Sequence, residues 1–109
     1  VGVAGIGAKL GSKLFNKSQH TVILKLDDKG TGHSSGMLRV GDLIVRVDKE
    51  STAGLRADAV HRLLQGRAGT RVKVKYLRPP SKFDMTCTLL REVGTEHILE
   101  EEHTGWKRA

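Results

Sequence analysis

The chain has 109 residues, room for one domain rather than two, and 38% of them are hydrophobic. Its formal net charge is +7, and its single cysteine excludes an internal disulfide and a cysteine-rich zinc site. The apolar runs are far too short to cross a bilayer and no signal peptide is visible; Val1 reads as the start of a domain cut from a longer, expectedly intracellular chain.

Residues 1–10 read as a glycine-punctuated entry into a strand, with Gly2, Gly5 and Gly7 implying a tight turn or a close backbone approach. Residues 11–20 are polar and are expected to form a loop. Residues 21–26, β-branched and aliphatic, predict a strand stopped by Asp27-Asp28-Lys29-Gly30. A short helical turn is expected over residues 32–37, with Gly36 at its end. Residues 41–48 predict another strand, with Leu43, Val45 and Val47 on one face and Ile44 and Arg46 on the other.

Ser51 or Thr52 can open a helical segment whose body is residues 55–65. Val60, Leu63 and Leu64 fall at i, i+3 and i+4, an apolar stripe, and Gly66 is expected to end the helix in a left-handed conformation. Residues 71–77 alternate, with Val72, Val74 and Tyr76 inward and Arg71, Lys73 and Lys75 outward. Pro79-Pro80 forces a turn, and residues 82–91 predict a last strand in which Phe83, Met85, Cys87 and Leu89 share one side. Cys87 is read as a buried, unreactive thiol. Only four residues are aromatic, so the core must be built from Val, Leu and Ile.

The charge is uneven. Residues 1–91 hold 17 Lys and Arg against 7 Asp and Glu, whereas residues 92–109 hold two against five. The latter are therefore expected to form an acidic, flexible tail, with Ile98, Leu99 and Trp106 leaving open a short docked helix. The fold class that follows is mainly β with two helices, a small partly open barrel or sandwich capped by those helices.

The order of elements and their punctuation resemble a PDZ domain over residues 3–91. Gly5-Ile6-Gly7-Ala8 is similar to the family's carboxylate-binding loop. The run from Ser35 through Gly41-Asp42 to Asp48 is similar to its small-residue turn and Gly-Asp strand, and residues 58–64 to its groove helix. The chain opens directly on the glycine loop and adds a strand after the usual last one. That permuted layout resembles the PDZ domains of C-terminal processing proteases. Ser34-Ser35 departs from the Pro-Ala pair common in the family.

The resemblance implies capture of the free C-terminus of another protein. Consecutive N–H groups in a glycine-rich turn can solvate a carboxylate, and the amides of Ile6, Gly7 and Ala8 are the expected donors. A ligand would add as an antiparallel strand along Ala8, Lys9 and Leu10. Its hydrophobic last side chain would enter a pocket lined by Ile6, Ala8, Leu10 and Leu64. Along the helix, an ungapped register places Ala57, His61 and Leu64 at the reading positions; a shift by one gives Arg56, Val60 and Leu63. Ala57 stands where many Ser/Thr-selecting relatives carry His, which implies an apolar ligand residue two before the last.

Other chemistry fails on spacing. His33 with Ser34 and Ser35 lacks an oriented acid and a nucleophile elbow, so no catalytic residue is assigned. Five dispersed histidines show no metal-ligand spacing, and no metal or cofactor is expected. The scattered basic residues lack an Arg-rich run or aromatic RNA-binding signature, so no nucleic-acid partner is expected, while anionic membrane lipids remain a partner of the basic surface. Three functions stand at this point: a stand-alone recognition module, the substrate-sensing domain of a processing protease, and a basic lipid- or nucleic-acid-binding surface.

Overall fold

The computed structural model describes residues 4–15 and 17–92. Eight elements follow in chain order: β1 (Ala8–Phe15), β2 (Ser18–Leu26), α1 (Thr31–Ser34), β3 (Leu43–Val47), β4 (Glu50–Ser51), α2 (Ala57–Leu64), β5 (Arg71–Leu77) and β6 (Asp84–Leu90). The strands form one antiparallel sheet in the order β1-β2-β3-β5-β6, with the short β4 paired to β3. Gly5, just before β1, bridges Glu92, just after β6. This isolated bridge brings the two ends of the open sheet toward each other, in keeping with the partly open barrel expected from the sequence.

The main core lies between the inner sheet face and the helices. Ile23, Ile44, Val72, Val74 and Tyr76 meet Val60 and Leu64 of α2 there. The β5 alternation is as read: Val72, Val74 and Tyr76 are buried while Arg71 and Lys73 are exposed. A smaller cluster on the outer face joins Val22, Leu43 and Leu77 with Phe15 and Val45.

Four expectations need correction. Residues 11–20 are no loop but most of a long hairpin, β1 pairing with β2 from Ala8↔Leu26 to Phe15↔Ser18. Its polar side chains are exposed on both faces, so the ladder holds it together with Phe15, whose ring meets His20 edge-on at 6.0 Å. In β3, the register against β5 slips between Ile44 and Arg46, leaving Val45 as an extra residue. This bulge reverses the phase, so Ile44 and Val47 face the main core together while Leu43 and Val45 join the outer cluster.

Gly66 is not left-handed. Its neighbour Gln65 ends α2 in an extended conformation, and a Cβ on Gly66 would lie 2.8 Å from Arg91 Nε. The glycine makes room for a guanidinium. Phe83, placed on the buried side by alternation, is 80% exposed because it precedes the paired part of β6. Residues 93–109, expected to be the tail or a docked helix, lie outside the described residues.

Cys87 is buried in the main core. Burial pushes its thiol up to about 11, with the charge of Asp42 adding to the effect. Its raised value means the folded state holds the proton that the unfolded chain releases from about pH 9 upward. Stability from this group is therefore full below pH 9 and is lost as pH rises toward 11, by about 2–3 kcal/mol. Urea midpoints should fall across that window in the wild type and fall less in Cys87→Ala; equal slopes would contradict the assignment.

Candidate functional site

The loop before β1 is fixed from its carbonyl side. Ala4 and Gly66 exchange two backbone hydrogen bonds of 2.9 Å, and Glu92 N–H donates to the Gly5 carbonyl at 3.0 Å. The Ile6 carbonyl accepts from Gly32 N–H at 2.9 Å and the Gly7 carbonyl from Asp27 N–H at 2.7 Å. Close approach makes this possible, since a Cβ on Gly30 would lie 2.7 Å from the Ile6 oxygen. Gly7 has φ +76°, a conformation that side chains resist.

Each trans peptide points its N–H opposite to its C=O, so the held carbonyls of Gly5, Ile6 and Gly7 turn the amides of Ile6, Gly7 and Ala8 the other way. Those of Ile6 and Gly7 donate to no partner among the described residues. Two successive free N–H groups beside a left-handed glycine form an anion-binding nest. The Ala8 amide, the third expected donor, shares its peptide with the Gly7 carbonyl that Asp27 holds. It therefore points away from β2 toward the open edge, and Ala8↔Leu26 is a non-hydrogen-bonded pair.

β1 is the terminal strand of the sheet, and its outer edge faces α2 across an open groove of about 1020 Å³. Ala8, Lys9, Leu10 and Ser12 form one wall of this groove, and Ala57, Asp58 and His61 of α2 the other. Ala57 and Ala59 favour helix, Asp58 sits in the first turn where the dipole favours a negative charge, and Arg62 lies one turn on at 3.4 Å from it.

Of the two helix registers, Ala57 and His61 of the first and Arg56 of the second line the groove. Val60 and Leu64 are 0% and 1% exposed and belong to the core, so neither lines the open groove as expected. The stripe that identified the helix is the same stripe that buries it. Ile6 is likewise buried beneath the loop, with Ala8 and Leu10 packed partly against the same cluster. The expected pocket for a last side chain is thus a closed apolar floor at the loop end, and the groove opens beyond it. Gln19, Gly54 and Leu55 complete its far end. These were missed because residues 11–20 read as a loop and Leu55 as the start of the helix body, whereas the helix begins at Ala57.

Arg91, which carried no sequence signal, anchors the other end of α2. Its guanidinium donates to the carbonyls of Leu64 (3.0 Å) and Leu63 (3.3 Å), and to Thr70 Oγ1 (3.0 Å). Among the described residues, no group of three or more His, Cys, Asp or Glu could hold a metal ion.

A sequence profile of the PDZ domain matches residues 22–78. The chain belongs to the PDZ family. This PDZ domain is similar to that of a carboxy-terminal protease from Vibrio cholerae, solved in complex with a peptide. The two are 29% identical with a TM-score of 0.71, over 83% of this chain and 94% of that one. It is also similar to the photosystem II D1 C-terminal processing protease, at 30% identity and a TM-score of 0.73. That match covers 83% of this chain but 23% of the protease. No curated protein matches the sequence.

Proposed function

We propose that this PDZ domain binds the free C-terminus of partner proteins, added as an antiparallel strand to the open edge of β1. The observation that carries this reading is the pair of unused amides, Ile6 and Gly7, at the end of an unpaired strand edge. The nest receives the carboxylate, the Ala8–Leu10 edge supplies main-chain hydrogen bonds, and Ala57 and His61 face the ligand from the helix. Ile6, Ala8, Leu10 and Leu64 form the apolar floor at the loop end, which suits a hydrophobic last residue.

Selection from a random hexapeptide library with free C-termini should enrich Val, Leu, Ile or Ala at the last position. The expected affinity is micromolar, about 8 kcal/mol, because the peptide must be ordered on binding. Enrichment with no preference at that position would contradict the apolar floor.

The likeness to two processing proteases supports a specific setting, in which the groove senses the C-terminus of a substrate for a catalytic domain elsewhere in the protein. The serine and lysine of such a reaction would lie outside this chain. The exposed residues Arg71 and Lys73, with Lys75 beside them, support a second reading, attraction to an anionic membrane. Sedimentation with phosphatidylserine vesicles that a bound peptide does not prevent would favour it.

A further inference from the structure

The outer side of the groove edge carries a positive charge that the fold leaves unanswered. Lys9 and Lys25 are direct cross-strand partners, so their side chains leave the same face of the sheet. Like charges in that position oppose strand pairing. Lys13, four residues along β1, leaves the same face opposite His20. None of the three lysines makes an ion pair among the described residues. The helix side of the groove is different, since Arg56 and Arg62 lie 3.5 and 3.4 Å from Asp58.

A ligand strand beside β1 fixes which of its residues meet these lysines. With its carboxylate at the Ile6 and Gly7 amides, its last residue stands beside Ala8 and points toward α2. Counting back in antiparallel register, the penultimate residue stands beside Lys9 and points to the outer face. The fourth from last stands beside Gly11, where the Leu24 side chain covers the glycine (a Cβ there would lie 2.7 Å from Leu24 Cδ1), between Lys9 and Lys13.

Resting on the peptide-binding reading above, we infer that this groove selects C-termini with acidic residues at the penultimate and fourth-from-last positions, read by Lys9, Lys25 and Lys13. The helix-facing residues set apolar fit while the outer face sets charge. An acidic side chain here also relieves the repulsion between Lys9 and Lys25, which the free protein carries.

The test uses two hexapeptide pools with free C-termini, both ending in valine. One has Glu and the other Lys at the second and fourth positions from the end, with the rest randomised. The Glu pool should bind roughly three- to tenfold tighter in low salt, as expected for exposed charge pairs. The ratio should shrink in 0.5 M salt, where the Debye length falls to about 4 Å. It should vanish or reverse in Lys9→Glu/Lys13→Glu and flatten in Lys9→Gln/Lys13→Gln, each checked by thermal melting. Equal binding of the two pools, or a Glu preference that survives charge reversal, overturns the inference while leaving carboxylate recognition intact. Failure of both pools to bind overturns the peptide-binding reading and this inference with it.

Discussion

Replacing Asp42 by alanine should cost about 3–5 kcal/mol of stability, enough to unfold much of a domain whose total is on the order of 5–15 kcal/mol. Asp42 is 1% exposed, yet it is an acceptor for three donors. Arg39 N–H donates to Oδ2 at 2.8 Å, Arg78 Nε to Oδ1 at 2.8 Å and Arg78 Nη2 to Oδ2 at 2.9 Å. The same Arg78 nitrogen donates to the Met37 carbonyl at 2.9 Å, which also accepts from Tyr76 Oη at 3.0 Å. The guanidinium lies over the Tyr76 ring, 5.7 Å from its centre. One buried carboxylate thus fastens the connection between α1 and β3 to the end of β5.

Removing the carboxylate leaves a half-buried guanidinium, 30% exposed, and the Arg39 amide without their buried charged acceptor. The loss should be insensitive to salt, because buried pairs are screened little. The exposed Arg62–Asp58 pair offers the contrast: its loss should cost well under 1 kcal/mol. Urea denaturation of both variants in low and high salt measures the difference. A cost for Asp42→Ala below about 1 kcal/mol would contradict the assigned role.

The second large effect concerns Arg91. Its side chain is 11% exposed and satisfies the last two carbonyls of α2, where a cation also complements the helix dipole. Arg91→Ala should cost about 2–4 kcal/mol and free the C-terminal turn of the groove helix to exchange its amides. Lysine should rescue little, because a point charge cannot reach several acceptors as a planar fork does. Gly66→Ala should injure the same clamp sterically. Its cost should largely disappear in the Arg91→Ala background, because the atoms it would strike are gone. Additive costs would show that the two residues act separately.

The parts of this fold that could be read from sequence are those where burial writes a period into one strand or helix. The β5 alternation and the Val60, Leu63, Leu64 stripe are of that kind, and the structure bears both out. The β1–β2 hairpin is not, because Ser12, Lys13 and Gln19 face water and strand pairing leaves no hydropathy signal. The Val45 bulge was also hidden, since only the partner strand reveals that one residue is surplus.

The candidate site divides in the same way. Gly5-Ile6-Gly7-Ala8 was visible from its glycines, but what turns the Ile6, Gly7 and Ala8 amides outward is the contact of the preceding carbonyls with Glu92, Gly32 and Asp27, far along the chain. Val60 and Leu64 had the right spacing for a groove wall and proved to be its buried support. Arg91 gave no local pattern, and the Gly41-Asp42 motif did not reveal that its carboxylate holds Arg78, because the partners of both residues come from other elements.

Carboxylate recognition is the central claim, and titration calorimetry on one peptide tests it most directly. The strongest peptide from the free-ended library is compared with its C-terminal amide, identical in every side chain. Amidation should lower affinity by about 2–3 kcal/mol, roughly 30- to 150-fold, because the Ile6 and Gly7 amides lose a charged acceptor. Equal affinity for the two forms would contradict it.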